Sequence, residues 1–218
     1  MIYELNAIST GKIETLTYGK KQMQSALNKT VFTDTCWLTT TGFCDDEQAY
    51  KGHGGPDKAL CLFSKSNYQM WQDDITELPD YAMFGENLTA KHMDEKTTYF
   101  GNQYQLGSAI IEVSEIREPC WKIQTKYQIP DLVKRMSSSG RTGFYFRVLK
   151  EGYVAPDDNL HLIQQAPDDT LLSVFELNHL MYNDRNNISK LTYALQNPYL
   201  TTARIDKLQR LLTKAQQL

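Results

Sequence analysis

The strongest pattern along the chain is Ala109-Ile-Ile-Glu-Val-Ser-Glu-Ile116, rich in β-branched and apolar residues. Such side chains are stiff at χ1 and pack well on a pleated surface, so the stretch predicts a strand. Gly101 and Gly107 before it punctuate a hairpin. Shorter apolar runs at Lys12–Tyr18 and Leu60–Phe63 predict further strands. Gly143–Leu149, the turn Glu151-Gly152 and Asn159–Ile163 predict another β pair. Two short helices interrupt the strands. Ser64 is placed to cap one running through Asp73, with Tyr68 and Trp71 toward a core. Pro130 opens the other, which carries Leu132, Val133 and Met136 and is ended by the Ser137–Gly140 cluster.

The last quarter has a helical period instead. Pro167-Asp-Asp-Thr170 opens a helix bearing Leu171, Val174, Phe175 and Leu177, and Asn186-Asn187 breaks it. Ile188–Gln196 and Thr201–Gln217 follow as two more helices. Many short strands followed by helices predict an α+β protein: a mainly antiparallel, partly closed β-barrel over residues 1–164, then a three-helix module over 165–218. A module of roughly fifty residues is marginal alone, so docking against the barrel is expected. Its last helix aligns Arg204, Lys207, Arg210 and Lys214 at spacings of three and four, opposite Leu208, Leu211 and Leu212. That stripe reads first as a solvated face, and second as a dock for an acidic partner such as a flavin-containing electron donor.

Composition changes the picture mainly by exclusion. A chain of 218 residues with a net charge of -3 and a pI near 5.8 lacks the basic excess of a nucleic-acid binder. No window approaches the ~18 to 20 apolar residues of a membrane span, and the N-terminus carries no basic-then-apolar leader, so a cytoplasmic protein is expected. Cys36, Cys44, Cys61 and Cys120 form no Cys-x-x-Cys pair and have no histidine at zinc spacing. Reduced thiols are expected, with Cys61 in the core.

Cys120 carries the most chemistry. It lies in Val113–Lys122 at the exit of the strongest strand, between Arg117 and Lys122, cations that favour the thiolate, while Glu118 opposes them. A thiol so placed can ligate a metal, attack an electrophile, or be inert. Upstream, Lys51-Gly-His-Gly-Gly-Pro-Asp-Lys58 holds three glycines that let backbone approach a ligand, or simply form a tight turn. His53 is a candidate proton shuttle, and Glu86 and Asn87 offer a carboxylate and an amide from a loop that could equally be turn capping.

His53-Gly54-Gly55-Pro56-Asp57 with Lys58-Ala59-Leu60, then Phe84-Gly85-Glu86-Asn87-Leu88, Arg117-x-Pro119-Cys120-x-Lys122, and Gly140-Arg141-x-Gly143-x-Tyr145-x-Arg147-Val148-Leu149 occur in the order seen in the MOSC family. That family is named after the C-terminal domain of the molybdenum cofactor sulfurase, and the helical tail resembles the extension of its YiiM-type members. The resemblance spans nearly the whole chain. It departs at Asn102 and at Pro156-Asp157-Asp158, where Gly-Asp is usual, and at Glu118, where a neutral residue is more common.

The resemblance implies a β-barrel, a molybdopterin-type molybdenum cofactor with Cys120 as metal ligand, and reduction of N-hydroxylated compounds such as purines. It implies cofactor contacts from Lys51, Gly54, Gly55, Lys58, Glu86, Asn87, Arg117, Lys122 and Arg141, with Arg147 a further cation for the phosphate, and a catalytic part for His53. Thiolate is a soft ligand suited to a metal already held by sulfur. No flavin, iron–sulfur or nicotinamide signature is present, so an external flavoprotein reductase is the expected donor. Two alternatives stay open: a cofactor or sulfur carrier without reductase activity, and a metal-free Cys120/His53 thiol enzyme.

Overall fold

The computed structural model describes residues 1–217. Nine strands form one sheet in the order Ile2–Tyr3, Leu160–Gln164, Gln103–Leu106, Ala109–Ile116, Phe144–Lys150, Leu60–Ser64, Leu88–Ala90, Leu5–Thr10, Thr30–Val31. All neighbours are antiparallel except Leu60–Ser64 with Leu88–Ala90. The fold is mixed α+β as expected, but the barrel is not closed: among the described residues no ladder joins the Ile2–Tyr3 edge to the Thr30–Val31 edge. Ile2–Tyr3 and Leu5–Thr10 are consecutive in the chain, separated by Glu4, yet sit near opposite ends of the strand order. The sheet therefore curls until one chain segment serves both ends.

The β pair predicted from Gly143–Leu149 and Asn159–Ile163 does not form. Phe144–Lys150 lies between Ala109–Ile116 and Leu60–Ser64, whereas Leu160–Gln164 pairs with Gln103–Leu106 and Ile2–Tyr3. The turn at Glu151 instead leads into a short strand, Gly152–Val154, which joins Cys36–Thr39 and Gly42–Phe43 in a separate three-stranded sheet. Glu14–Tyr18 and Lys21–Ser25 make an isolated hairpin.

Five α-helices are present among the described residues: α1 (Trp121–Tyr127), α2 (Leu132–Ser139), α3 (Val174–Tyr182), α4 (Ile188–Leu195) and α5 (Thr202–Ala215). Helix is thus more abundant than the three of the tail. The segment after Ser64 is a 3-10 helix, Lys65–Trp71, and the Ser64 side chain does not cap it; its hydroxyl bonds Ser66 and the Met93 N–H. The tail's first helix starts later than Pro167 suggests. Ser173 and Glu176 form a reciprocal capping box at its start, and Asp168–Thr170 remains a separate 3-10 turn. No helix among the described residues is long and apolar enough to cross a membrane.

One apolar core runs from the sheet into the tail. Ile111, Val113, Phe144 and Phe146 share it with Leu177, Leu191, Leu208 and Leu212. The tail thereby covers the outer face of Ala109–Ile116, which explains why that strand is buried on nearly every residue rather than on alternate ones. Burying the outer face buries Glu112 and Glu115 as well, and each finds an arginine: Arg147 at 3.0 Å and Arg204 at 2.9 Å. A second cluster of Phe63, Tyr68, Trp71, Phe84, Ile123, Leu132 and Met136 seats α1 and α2. That cluster fixes the start of α1, and with it Cys120.

Candidate functional site

Where the strongest strand ends, Arg117 donates its backbone N–H to Gly143 (3.3 Å), and Pro119 precedes Cys120, the N-cap residue of α1. Cys120 is half-buried and opens onto a cleft also lined by His53, Lys58, Asn87, Arg117 and Lys122. Residues that are far apart in sequence are thus brought together by three elements: the 51–58 loop, the loop before Leu88–Ala90, and the strand-to-helix turn. The hairpin Glu14–Ser25 forms a wall, because Lys122 Nζ donates to the Gln24 carbonyl at 2.6 Å.

Arg117 is the electrostatic centre of the cleft. Its side chain is buried, with the residue only 7% exposed, and its Nη2 donates to the Phe84 carbonyl. Nη1 has no partner among the described residues, and no carboxylate forms an ion pair with it. Burial disfavours its charge, but the neighbouring ionisable groups Cys61, Tyr145, Glu86 and Cys120 more than offset this and hold its pKa up. A buried charged donor without an acceptor costs several kcal/mol, so the arrangement suits an anion that is supplied from outside the chain.

That cation shapes its neighbours. Burial, then Arg117, Lys122 and Lys58, lower the pKa of His53 to about 4, so at neutral pH the imidazole is neutral. It offers one N–H and one ring acceptor, not a stored proton, which narrows the shuttle role expected for it. Cys61 forms part of the floor, and burial pushes its thiol up to about 11, Arg117 only partly offsetting this. It stays a neutral core thiol, as expected. Burial likewise raises the Tyr145 phenol, keeping a neutral hydroxyl group in the cleft lining, with Lys58 Nζ 5.6 Å from the ring centre.

Several expected contacts lie elsewhere. Glu86 is fully buried, and its carboxylate accepts from the Tyr68 hydroxyl, the Phe84 N–H (3.0 Å) and Thr89 (3.3 Å), so it builds the loop instead of facing the cleft. Asn87 does line the cleft, but its amide is spent on frame contacts: Oδ1 accepts the Cys61 N–H, and Nδ2 donates to Asp46 and to the Ser9 carbonyl. Arg141 donates to Asn67 (2.7 Å) and does not line the cleft. Arg147 is occupied by Asp57, Glu112 and the Tyr199 carbonyl. Lys51 is exposed in a 3-10 turn, outside the lining, and Gly54 and Gly55 border an adjoining depression instead.

Sequence patterns missed three cleft residues. Tyr145 stood in the Gly140–Leu149 stretch, but its alternation with core Phe144 and Phe146 marked it only as strand. Asp46 is one acid in a polar run, and nothing local marks it or its buried partner Lys29. Asp46 gathers the Gly11 N–H, Lys29, Gln48 and Asn87, and so ties the cleft wall together. The basic stripe is also not what the helical spacing suggested. Arg204 is 2% exposed and bonds Glu115 and Glu118, and Lys207 bonds Glu118 at 2.7 Å. Half of the stripe therefore clamps the tail to the strand leading to Cys120, and the acidic neighbour that would oppose a thiolate is neutralised from α5.

Residues that could hold a molybdopterin-type group fit it on this structure's own terms. A half-buried thiol opens onto the cleft, three cations line it besides the Asp46-paired Lys29, and one of the three has an orphaned donor. Among the described residues no cluster of three or more His, Cys, Asp or Glu side chains forms a metal cage. A metal here would bring most of its own ligands and take one from Cys120.

The chain is 33% identical to YflK of Bacillus subtilis over 200 residues, covering 91% of this chain and 90% of that protein. It is 34% identical to the protein YiiM of Escherichia coli over 168 residues, 75% of this chain and 74% of that one. A reductase from Gibberella moniliformis is 32% identical over 158 residues, 70% of this chain but 28% of that protein's length. The crystal structure of YiiM from Geobacillus stearothermophilus superposes with a TM-score of 0.80 at 28% identity, covering 96% of this chain and 99% of that one. The MOSC domain profile matches residues 49–161, about half of the chain, including His53, Lys58, Arg117, Cys120 and Lys122 of the cleft lining. With sequence and fold in agreement, the chain belongs to the MOSC domain family, which is associated with the molybdenum cofactor.

Proposed function

We propose that this protein is a molybdenum-cofactor-dependent reductase of N-hydroxylated compounds, N-hydroxylated purines among them, with Cys120 as the protein's ligand to the metal. The observation that carries the proposal is the buried Arg117 with an unpartnered Nη1 in the same cleft as Cys120. The name of the reductase relative and the family's association with the cofactor support it.

Bound there, the cofactor supplies the two-electron, oxygen-accepting chemistry that converts R–NH–OH, two protons and two electrons into R–NH2 and water. The chain's own residues do the rest. Cys120, at the N-cap of a short helix, presents its sulfur from a backbone stiffened by Pro119. Arg117, Lys58 and Lys122 line the cleft with positive charge and hold anionic parts of the cofactor. Neutral His53 and the neutral Tyr145 hydroxyl are hydrogen-bonding groups that can orient a hydroxylamine without competing for the anion. An external flavoprotein reductase supplies the electrons.

The test is bound molybdenum in protein purified from molybdenum-replete cells, wild type against Cys120→Ala. Wild type is expected to hold about one metal per chain and the variant almost none; equal content in both would remove Cys120 as ligand. Turnover of an N-hydroxylated base with a chemical reductant, measured on the same samples, separates a reductase from a carrier that binds cofactor but converts nothing.

A further inference from the structure

The glycine loop does not end at the cleft. Gly54 and Gly55 border a second depression, reached across Lys58, whose far wall is the first turn of α5: Thr201, Ala203, Arg204 and Lys207. Lys58 lines both spaces. Gly55 has a φ of 98°, and a Cβ added there would meet nothing within 4 Å, so the backbone of the loop faces open space.

Helix α5 has fourteen residues, and its opening N–H groups have no intrahelical acceptor. The Thr201 hydroxyl takes the Arg204 N–H at 3.1 Å, while those of Thr202 and Ala203 have no partner among the described residues. Independently of the helix end, Arg204 itself points to a ligand. The residue is 2% exposed, Nε and Nη2 are spent on Glu115 and Glu118, and Nη1 has no partner among the described residues.

Three cations, Lys58, Arg204 and Lys207, face two carboxylates in this lining, and both carboxylates are already engaged: Asp57 by Arg147, Glu115 by Arg204 and Thr201. Arg204 and Lys207 are matched by Glu115 and by Glu118 beside the lining, which leaves Lys58 as the net positive charge, reinforced by the helix terminus. Compact, multiply charged oxyanions satisfy such a set of converging N–H donors, because each oxygen accepts more than one bond.

We propose that the Gly54–Lys58 loop and the first turn of α5 form a second ligand site that takes a phosphate monoester, so that the tail module completes a ligand pocket in addition to covering the sheet. The monoester is carried either by the cofactor or by a nucleotide substrate. The site stands on its own donors, whether or not the reductase assignment holds.

The test is titration of purified full-length protein with inorganic phosphate, followed by phosphorus NMR. Wild type is expected to bind saturably. Ala203→Glu places a carboxylate in the lining at an exposed position where an acid favours the helix, so the variant folds, and it is expected to weaken phosphate at least about tenfold. Thr202→Glu adds the same charge at a neighbouring exposed residue outside the lining and is expected to change binding less than about threefold. Two further arms identify the carrier. If the cofactor supplies the monoester, protein loaded with cofactor no longer takes phosphate. If the substrate does, loaded protein still takes it, and adenosine monophosphate binds more tightly than adenosine. Absence of saturable phosphate binding in cofactor-free wild type, unchanged binding in Ala203→Glu, or equal loss in both glutamate variants would overturn the site. A protein that binds phosphate in this way yet holds no molybdenum would leave the site standing and remove the redox proposal alone.

Discussion

Arg117 and Arg204 are both buried arginines with an unpartnered Nη1, one at each side of the Cys120 turn, yet their surroundings differ in kind. Arg204 sits between two carboxylates, Glu115 at 2.9 Å and Glu118 at 2.8 Å. Arg117 has a backbone carbonyl and no carboxylate. The first charge is balanced by the fold, and only one of its donors is spare. The second has no ion pair among the described residues and is held up only by ionisable neighbours such as Cys61, Tyr145 and Glu86. A buried cation without an ion-pair partner is costly unless something else neutralises it, which is why the whole Arg117 charge marks a place for a ligand, while Arg204 fastens the tail and keeps one donor spare.

The contrast is sharpest when each is removed. Arg204→Met strands the buried Glu115 carboxylate and is expected to cost about 3–5 kcal/mol of stability in urea unfolding. Arg117→Met removes a charge that has no ion-pair partner and is expected to leave stability within about 1 kcal/mol of wild type. Bound molybdenum in that variant should nevertheless fall more than about tenfold, because a charge-assisted contact to the cofactor is lost. Comparable destabilisation by the two variants would dissolve the distinction.

Burial of His53, together with the field of Arg117 and its neighbouring lysines, also predicts a pH dependence. The pKa of His53 in the folded protein is about 4, below its ordinary 6.5. As pH falls from about 6.5 toward 4 the unfolded chain takes up a proton that the native chain refuses, so stability present above that window is lost through it. His53→Gln should flatten this part of the stability curve between pH 7 and pH 5, and Arg117→Met should shift it by raising the histidine pKa in NMR titration. An unaltered slope in both variants would show that the cationic cleft does not govern His53. The smallest effect is expected at Lys207: its pair with Glu118 is about two-fifths exposed on both sides, so Lys207→Met should cost less than about 1 kcal/mol.

Much of this was written in local sequence. Ala109–Ile116 was legible to the residue because β-branched density and the flanking breakers agree, and the starts of α4 and α5 were legible to within a residue, with Asn187 and Thr201 capping them in the structure. Cys120 and Lys122 were marked by their neighbours, and the cleft does contain both. Helix α1 was not legible, since seven mixed residues carry no clear period and its packing on Phe84 and Leu132 comes from distant segments. Glu86 was misassigned for the converse reason. A carboxylate in a loop looks available until the Tyr68 hydroxyl and the Phe84 N–H are seen to occupy it.

The sequence by itself determined the strongest strand, the tail helices, the placement of Cys120 after that strand, and family membership, because these depend on residues adjacent in the chain or on motifs in order. Only the tertiary structure decided which strands pair, that the sheet stays open, and which charges are neutralised. Strand partners and ion pairs join residues as far apart as Glu115 and Arg204, whose meeting depends on how the tail lies over the sheet. An arginine reads the same in sequence whether a carboxylate awaits it or not; the difference between Arg117 and Arg204 exists only once the chain is folded.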